Sequence, residues 1–324
     1  MATTRSWRTP RVVTGPFPLT TVDIPPLNDV FSDAFTERYR RDGMVGVRVP
    51  HLSPAIWQYA VQDADGGAML WRGERSEIVA FNIAHHSGVE GWMGPLAVRP
   101  EYQGTGIGKR VVREGVEWLR ARGARVIGLE TMPRTMDNIG FYSALGFEPG
   151  RLTLTVTLDA APAQQPAALL GRLPPDEHET WIARCRELVD AQLPGYDFTR
   201  EIEITERLAL GDTLLLRDGD TLRGFALCHT APLVEGRARE ELRVLKLVLP
   251  DPALLERMLG ALTDYARRSG TRRVALRVQG EYGELFRRLV ELGGKVRWTD
   301  LRMTLAGFPE VRAREGVVLS NWEI

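Results

Sequence analysis

Leu96-Ala-Val-Arg-Pro-Glu-Tyr-Gln-Gly-Thr-Gly-Ile-Gly-Lys109 reads as an apolar strand entering a glycine-dense loop, and Val111, Val112, Val116, Trp118 and Leu119 leave it with helical spacing. Gly104, Gly106 and Gly108 alternate, so successive backbone N–H groups can turn towards one point without side chains in the way. The same groups sit at a helix N-terminus, whose unpaired donors and positive dipole end favour an anion. The loop is therefore expected to bind phosphate. A dinucleotide fingerprint would need glycine where Lys109 stands. A Walker loop would need glycine at Gln103 and Ser or Thr at Arg110. What remains is Gln-x-x-Gly-x-Gly (Gln103, Gly106, Gly108) behind a Val-x-Pro strand end (Val98, Pro100).

A second element follows at Arg125–Thr131 and Asn138-Ile-Gly-Phe-Tyr-Ser-Ala-Leu-Gly-Phe147. Asn138 and Tyr142 are four residues apart, which places them on one helix face. Gly146 is placed to end that helix in a left-handed conformation, with Phe147 returning to the core. The two motifs, in this order, resemble the acetyl-coenzyme A signature of the GNAT superfamily of N-acetyltransferases, in its tandem-domain, mycothiol-synthase-like type. The signature lies in the N-terminal half here, so the substrate of that type is not carried over.

The resemblance implies acetyl-CoA as acyl donor and no metal. It implies that the backbone of Leu96, Ala97 and Val98 pairs with the pantetheine amides. Gln103, Gly104, Thr105, Gly106, Ile107, Gly108 and Lys109 would hold the pyrophosphate, with Lys109 or Arg110 adding charge. Asn138 would lie near the pantetheine arm and Tyr142 beside the sulfur.

With 324 residues the chain suggests about two domains. Its formal net charge is zero, which argues against a nucleic-acid binder driven by phosphate neutralisation. Only Lys109, Lys246 and Lys295 are lysines; the bias to arginine reads as the composition of a GC-rich bacterial genome. Cys185 and Cys228 fit buried thiols in a reducing cytoplasm. The opening residues Met1–Arg8 carry no apolar leader core, and no run of 18 apolar residues occurs, so a cytoplasmic protein with no membrane partner is expected.

An α/β fold with a mixed sheet is expected, as two tandem GNAT-like domains, the second degenerate: 1–160 catalytic, 161–175 an Ala/Pro-rich linker, 176–324 degenerate. In the first half, Pro25–Tyr39 reads as helix and Ala68–Arg72, Glu77–His85, Trp92–Val98, Val126–Thr131 and Leu152–Leu158 as strands. In the second, Glu177–Ala191, Pro252–Arg267 and Tyr282–Leu292 read as helices. Thr213–Leu216, Leu222–His229, Leu242–Leu249, Arg273–Val278 and a final Arg297–Leu305 read as strands. Aligning Val98-x-Pro100 with Val248-x-Pro250 sets Ala253, Glu256 and Met258 opposite Gln103, Gly106 and Gly108. Aligning Leu145-Gly146 with Leu292-Gly293 sets Leu289 opposite Tyr142. An unrelated α/β substrate domain stays open as the other reading of this half.

The chemistry expected is direct transfer of an acetyl group to a primary amine of a small molecule or peptide; neither motif contains a thiol nucleophile. Tyr142 suits the proton donor to the leaving sulfur, because a phenol keeps its proton at neutral pH. The base stays open among Glu130, Glu90 and the strand-end His85 and His86. Homodimerisation also stays open. The rival reading is a non-catalytic acyl-CoA-binding sensor.

Overall fold

The computed structural model describes residues 12–163 and 166–322. Met1–Arg8 lie outside the described residues. Thirteen strands share one mixed sheet among the described residues. In the first half these are β1 (Thr14–Pro18), β2 (Ala68–Arg72), β3 (Ile78–Ser87), β4 (Glu90–Val98), β5 (Val126–Thr131) and β6 (Phe147–Asp159). The second half carries β7 (Ala168–Leu169), β8 (Gly211–Asp218), β9 (Thr221–His229), β10 (Glu241–Leu249), β11 (Arg273–Gln279), β12 (Lys295–Leu305) and β13 (Val317–Ser320). Four helices accompany each half: α1 (Ile24–Arg41), α2 (Pro54–Asp63), α3 (Ile107–Ala121) and α4 (Met136–Ser143), then α5 (Pro175–Gln192), α6 (Thr199–Arg207), α7 (Leu255–Arg268) and α8 (Gly283–Glu291).

The strand order is β1-β2-β3-β4-β5-β12-β6-β11-β10-β9-β8-β7, with β13 against β10. Read from either edge, the halves mirror each other, and their last strands cross over at the centre. β12 pairs with β5 as well as β6, while β6 pairs with β11. The boundary near residue 160 is thus a boundary in the chain and not in the sheet. Within 161–175, Ala168 and Leu169 form β7 against β8, and residues 164 and 165 lie outside the described residues. The expectation that Arg297–Leu305 is the final strand needs correction, because β13 follows it. The sequence reading also passed over β1, α2 and α6, which are short segments of 5, 10 and 9 residues.

Packing follows the periodicities. On α3, Ile107, Val111, Val112, Val116 and Leu119 are all buried, and the helix is followed by Gly123 at φ +82. Each such side chain contributes about 1.5–3 kcal/mol when fully buried. α3 and α4 pack with Ile127, Leu129, Phe147 and Met303 on one face of the sheet. α1 and α2 cover the other face through Leu27, Val30, Trp57 and Phe81. In the second half α7 and α8 correspond to the first pair, and α5 and α6 to the second. Cys185 and Cys228 are both buried thiols.

Candidate active site

β4 and β5 run parallel and pair only over Glu90–Met93 with Val126–Leu129. Beyond Met93 the register against β3 slips by one residue, and Gly94 to Val98 leave β5 behind. The resulting split opens a cavity of about 780 Å³. Leu96, Ala97, Val98, Gln103, Gly104, Gly106, Gly108, Lys109, Asn138, Tyr142 and Glu130 all line it. So the two motifs, separated in sequence, face one space.

The loop is built as an anion cradle, with two differences from the sequence reading. Gly104 (φ +78) and Gly106 (φ +91) hold left-handed backbone that other residues adopt only under strain, and a Cβ on either would meet nothing within 4 Å. Gly108 instead lies inside α3 and faces Phe141, whose ring an added Cβ would meet at ordinary contact distance. The second difference concerns Thr105 and Ile107, whose side chains do not line the cavity. The Thr105 hydroxyl donates to the Tyr102 carbonyl at 2.6 Å, and Ile107 is buried in the core. The Ile107 side chain is thereby withheld from a ligand, while Thr105 stays exposed beside the loop. No side chain caps the N-terminus of α3, so its first N–H groups keep their capacity for an outside anion. Gln103 Nε2 donates to the Val98 carbonyl at 3.0 Å, tying the loop to the strand end. Arg110 donates to the carbonyls of Val13 and Gly15 on the β1 side and points away from the cavity. Lys109 is exposed at the cavity wall. These features fit the diphosphate and amide arm of acetyl-CoA.

On the far wall, α4 presents Asn138 and Tyr142 together. Asn138 Nδ2 lies 3.4 Å from Thr131 Oγ1. The Tyr142 ring packs edge-on against Phe141 and Phe147, and burial pushes its hydroxyl up to about 12. It therefore keeps its proton at neutral pH and can donate it. Gly146 is left-handed (φ +92) and Phe147 is buried, as the helix-end pattern suggested.

The base candidates separate sharply. Glu130 reaches the cavity but is clamped: Arg302 donates to it at 3.0 Å, and Thr153 and Arg277 also donate to it. Burial alone would raise its carboxyl, but the Arg277 and Arg302 charges outweigh burial and hold it low. Such a carboxylate is a weak proton acceptor. Glu90 is not at the cavity. It is buried behind the slip in β4, accepts from Ser320 Oγ at 2.6 Å, and is raised by burial against the pull of Lys246. Two-residue alternation along an unbroken β4 would set Glu90 on the face of Trp92 and Gly94; the extra residue between Met93 and Leu96 breaks that phase. Glu90→Gln is expected to leave kcat within about two-fold of wild type, because the neutral amide replaces a carboxyl that already resists ionisation. Steady-state kinetics checks this, and a ten-fold loss would return Glu90 to the mechanism.

His85 is also internal, with Nδ1 2.6 Å from Asp63 and Nε2 3.1 Å from the Gly94 carbonyl. It positions the cavity-lining turn from behind. His86 is half-buried, lowered by burial and by Arg200, and does not line the cavity. Among the described residues no cluster of three or more His, Cys, Asp or Glu side chains is arranged to hold a metal ion.

Sequence reading missed the wall opposite the loop: Phe35, Arg38 and Tyr39 of α1, and Trp298 and Asp300 of β12. The spacing of Trp298 and Asp300 signals one strand face, but no sequence pattern says that β12 lies beside β5.

The second half repeats the split and closes it. β10 pairs with β11 only over Glu241–Val244, after which β13 takes the vacated edge, from Lys246 opposite Ser320 to Leu249 opposite Val317. Glu256 is paired to Arg288, and Leu289 is wholly buried. Beyond β13, Trp322 stacks on Trp92 with ring centroids 5.2 Å apart, and Lys246 Nζ sits 3.9 Å over the Trp322 ring.

Comparison with known proteins matches residues 28–147 to the Acetyltransferase (GNAT) family. Over 57 residues the chain is 40% identical to the uncharacterized N-acetyltransferase YjhQ of Escherichia coli; that stretch is 18% of this chain and 28% of the relative. Among solved structures, an acetyltransferase candidate from Pyrococcus horikoshii superposes with a TM-score of 0.68 at 17% identity, over 99% of this chain and 97% of the other. A tandem GNAT protein from the clavulanic acid biosynthesis pathway gives 0.59 at 13% identity, over 93% of this chain and 100% of the other. These likenesses show the fold, with its tandem arrangement; the family match falls in the first half alone.

Proposed function

We propose, from the membership of residues 28–147 in the GNAT acetyltransferase family, that the protein transfers an acetyl group from acetyl-CoA directly to a primary amine. The observation that carries this reading is the meeting of the uncapped loop, the free edge of β4 and the Tyr142 hydroxyl around one cavity. Acetyl-CoA would supply the acyl group as a thioester whose thiolate leaves. The chain would bind it through loop N–H groups and α3 at the diphosphate, and through the backbone of residues 96–98 along the arm. An N–H from that edge can polarise the acyl carbonyl, and Tyr142 holds a proton for the departing sulfur. A cytoplasmic setting suits Cys185 and Cys228, both unpaired thiols.

Tyr142→Phe should lower kcat about ten-fold or more, towards the roughly 10²–10⁴-fold span of a lost general acid, and leave acetyl-CoA affinity within about two-fold. Free-thiol release against a panel of amines, peptides and aminoglycosides measures the first, and calorimetry the second. Full turnover in the variant would remove Tyr142 from the mechanism. Tight acetyl-CoA binding by the wild-type protein with no thiol release for any amine would replace the enzyme by a sensor.

A further inference from the structure

One wall of the cavity belongs to the half that has no coenzyme loop. Trp298 and Asp300 stand two residues apart on β12, so their side chains share a face, and both line the cavity with Tyr39 and Glu130. β12 reaches that position because it inserts beside β5. One Asp300 oxygen accepts from Trp298 Nε1 at 3.1 Å and the other from Arg277 at 3.0 Å. The side chain remains 15% exposed, through the cavity. We propose that Asp300, supplied by the second half, receives the incoming aliphatic ammonium and takes its proton, so that acceptor chemistry depends on a residue outside the family's own segment. This rests on the acetyltransferase reading above.

The choice of Asp300 over Glu130 comes from how the cations are shared. Arg277 touches both carboxylates, but Arg302 adds a second guanidinium to Glu130 alone. Two carboxylates facing one shared cation divide their proton affinity unequally, and the less compensated one keeps the proton longer. Burial raises Asp300, Arg277 opposes it, and the Glu130 charge raises it further, to about 6. That is close to a working pH, where a base is both ionised and willing to accept.

The groups facing Asp300 are Arg277 from β11, Glu130 from β5, Thr153 from β6 and Tyr39 from α1. Trp298 and Arg302 share its strand, and Arg134 lies over the Trp298 ring at 5.5 Å. The Trp298 and Tyr39 rings, 6.3 Å apart, add faces that attract an alkyl ammonium.

In the transfer, the ammonium gives one proton to Asp300, which passes it to solvent. The freed lone pair forms the C–N bond as the C–S bond breaks. The nitrogen then loses a second proton to Asp300 while Tyr142 protonates the thiolate, and solvent returns that proton from Asp300 to Tyr142. Amine and thioester become amide and thiol, with no oxidant or reductant.

Asp300→Asn keeps the shape and is expected to lower kcat about 100-fold or more. It should also erase the fall in kcat/KM expected of wild type below about pH 6. The acetyl-CoA dissociation constant and the urea midpoint should stay unchanged, and Asp300→Glu should recover part of the rate. A readout independent of turnover is calorimetric binding of the best amine to the coenzyme-free protein. It should weaken in wild type as pH falls through about 6 and show no such dependence in the Asn variant. Wild-type kcat with an intact acid limb in Asp300→Asn would overturn the proposal while leaving the acetyltransferase reading standing. Absence of thiol release in wild type itself would overturn both.

Discussion

Gly106→Glu is expected to abolish acetyl-CoA binding, with no saturable heat in a titration that gives a clear isotherm for wild type. Two effects act together. Gly106 holds φ +91, where an L-residue costs about 1–2 kcal/mol. That cost alone is small beside coenzyme affinity, and Gly106→Ala isolates it as a modest weakening. The larger effect is electrostatic. The space before Gly106 is open, so the glutamate folds without collision, but its carboxylate then stands at the uncapped end of α3. It would occupy the place of a diphosphate and repel it, while itself being welcomed by the helix end. A dissociation constant within three-fold of wild type would show that the diphosphate sits elsewhere.

Arg302→Ala is expected to cost about 3–5 kcal/mol of stability, read as a lower urea midpoint. The guanidinium is buried, donates to Glu310 at 2.6 and 2.9 Å and to Glu130 at 3.0 Å, and lies 4.1 Å over the Trp92 ring. Replacing both the ions and their partner with apolar groups can be neutral; removing the cation alone strands carboxylates in a poorly solvated place. Glu130 retains Arg277, whereas no other cation is within ion-pair distance of Glu310 among the described residues. A loss below about 1 kcal/mol would mean that water already reaches this cluster.

The loop and the Tyr142 helix were legible because glycine spacing and a four-residue step are local constraints: Gly106 and Gly146 have the backbone that their positions demanded. The core strands were legible for the same reason. Glu90 was misplaced because alternation assumes an unbroken strand, and the slip beyond Met93 depends on how β4 meets β3 and β5. Asp300 was invisible as a site residue because its importance lies in a pairing between strands separated by most of the chain. The degeneracy of the second half was readable from Glu256 and Leu289. Its closure by β13 was not, since Val317–Ser320 is a short apolar run that could lie on many edges.

The crossing of β6 and β12 has a consequence for biosynthesis. Until Lys295–Leu305 has been made, the edges of β5 and β6 that β12 joins lack their partner strand. That seam closes only with Lys295–Leu305 in place, so this wall of the cavity waits on nearly the whole chain. Until then the backbone groups along those two edges have only water to pair with, and an unpaired edge is a template for another chain.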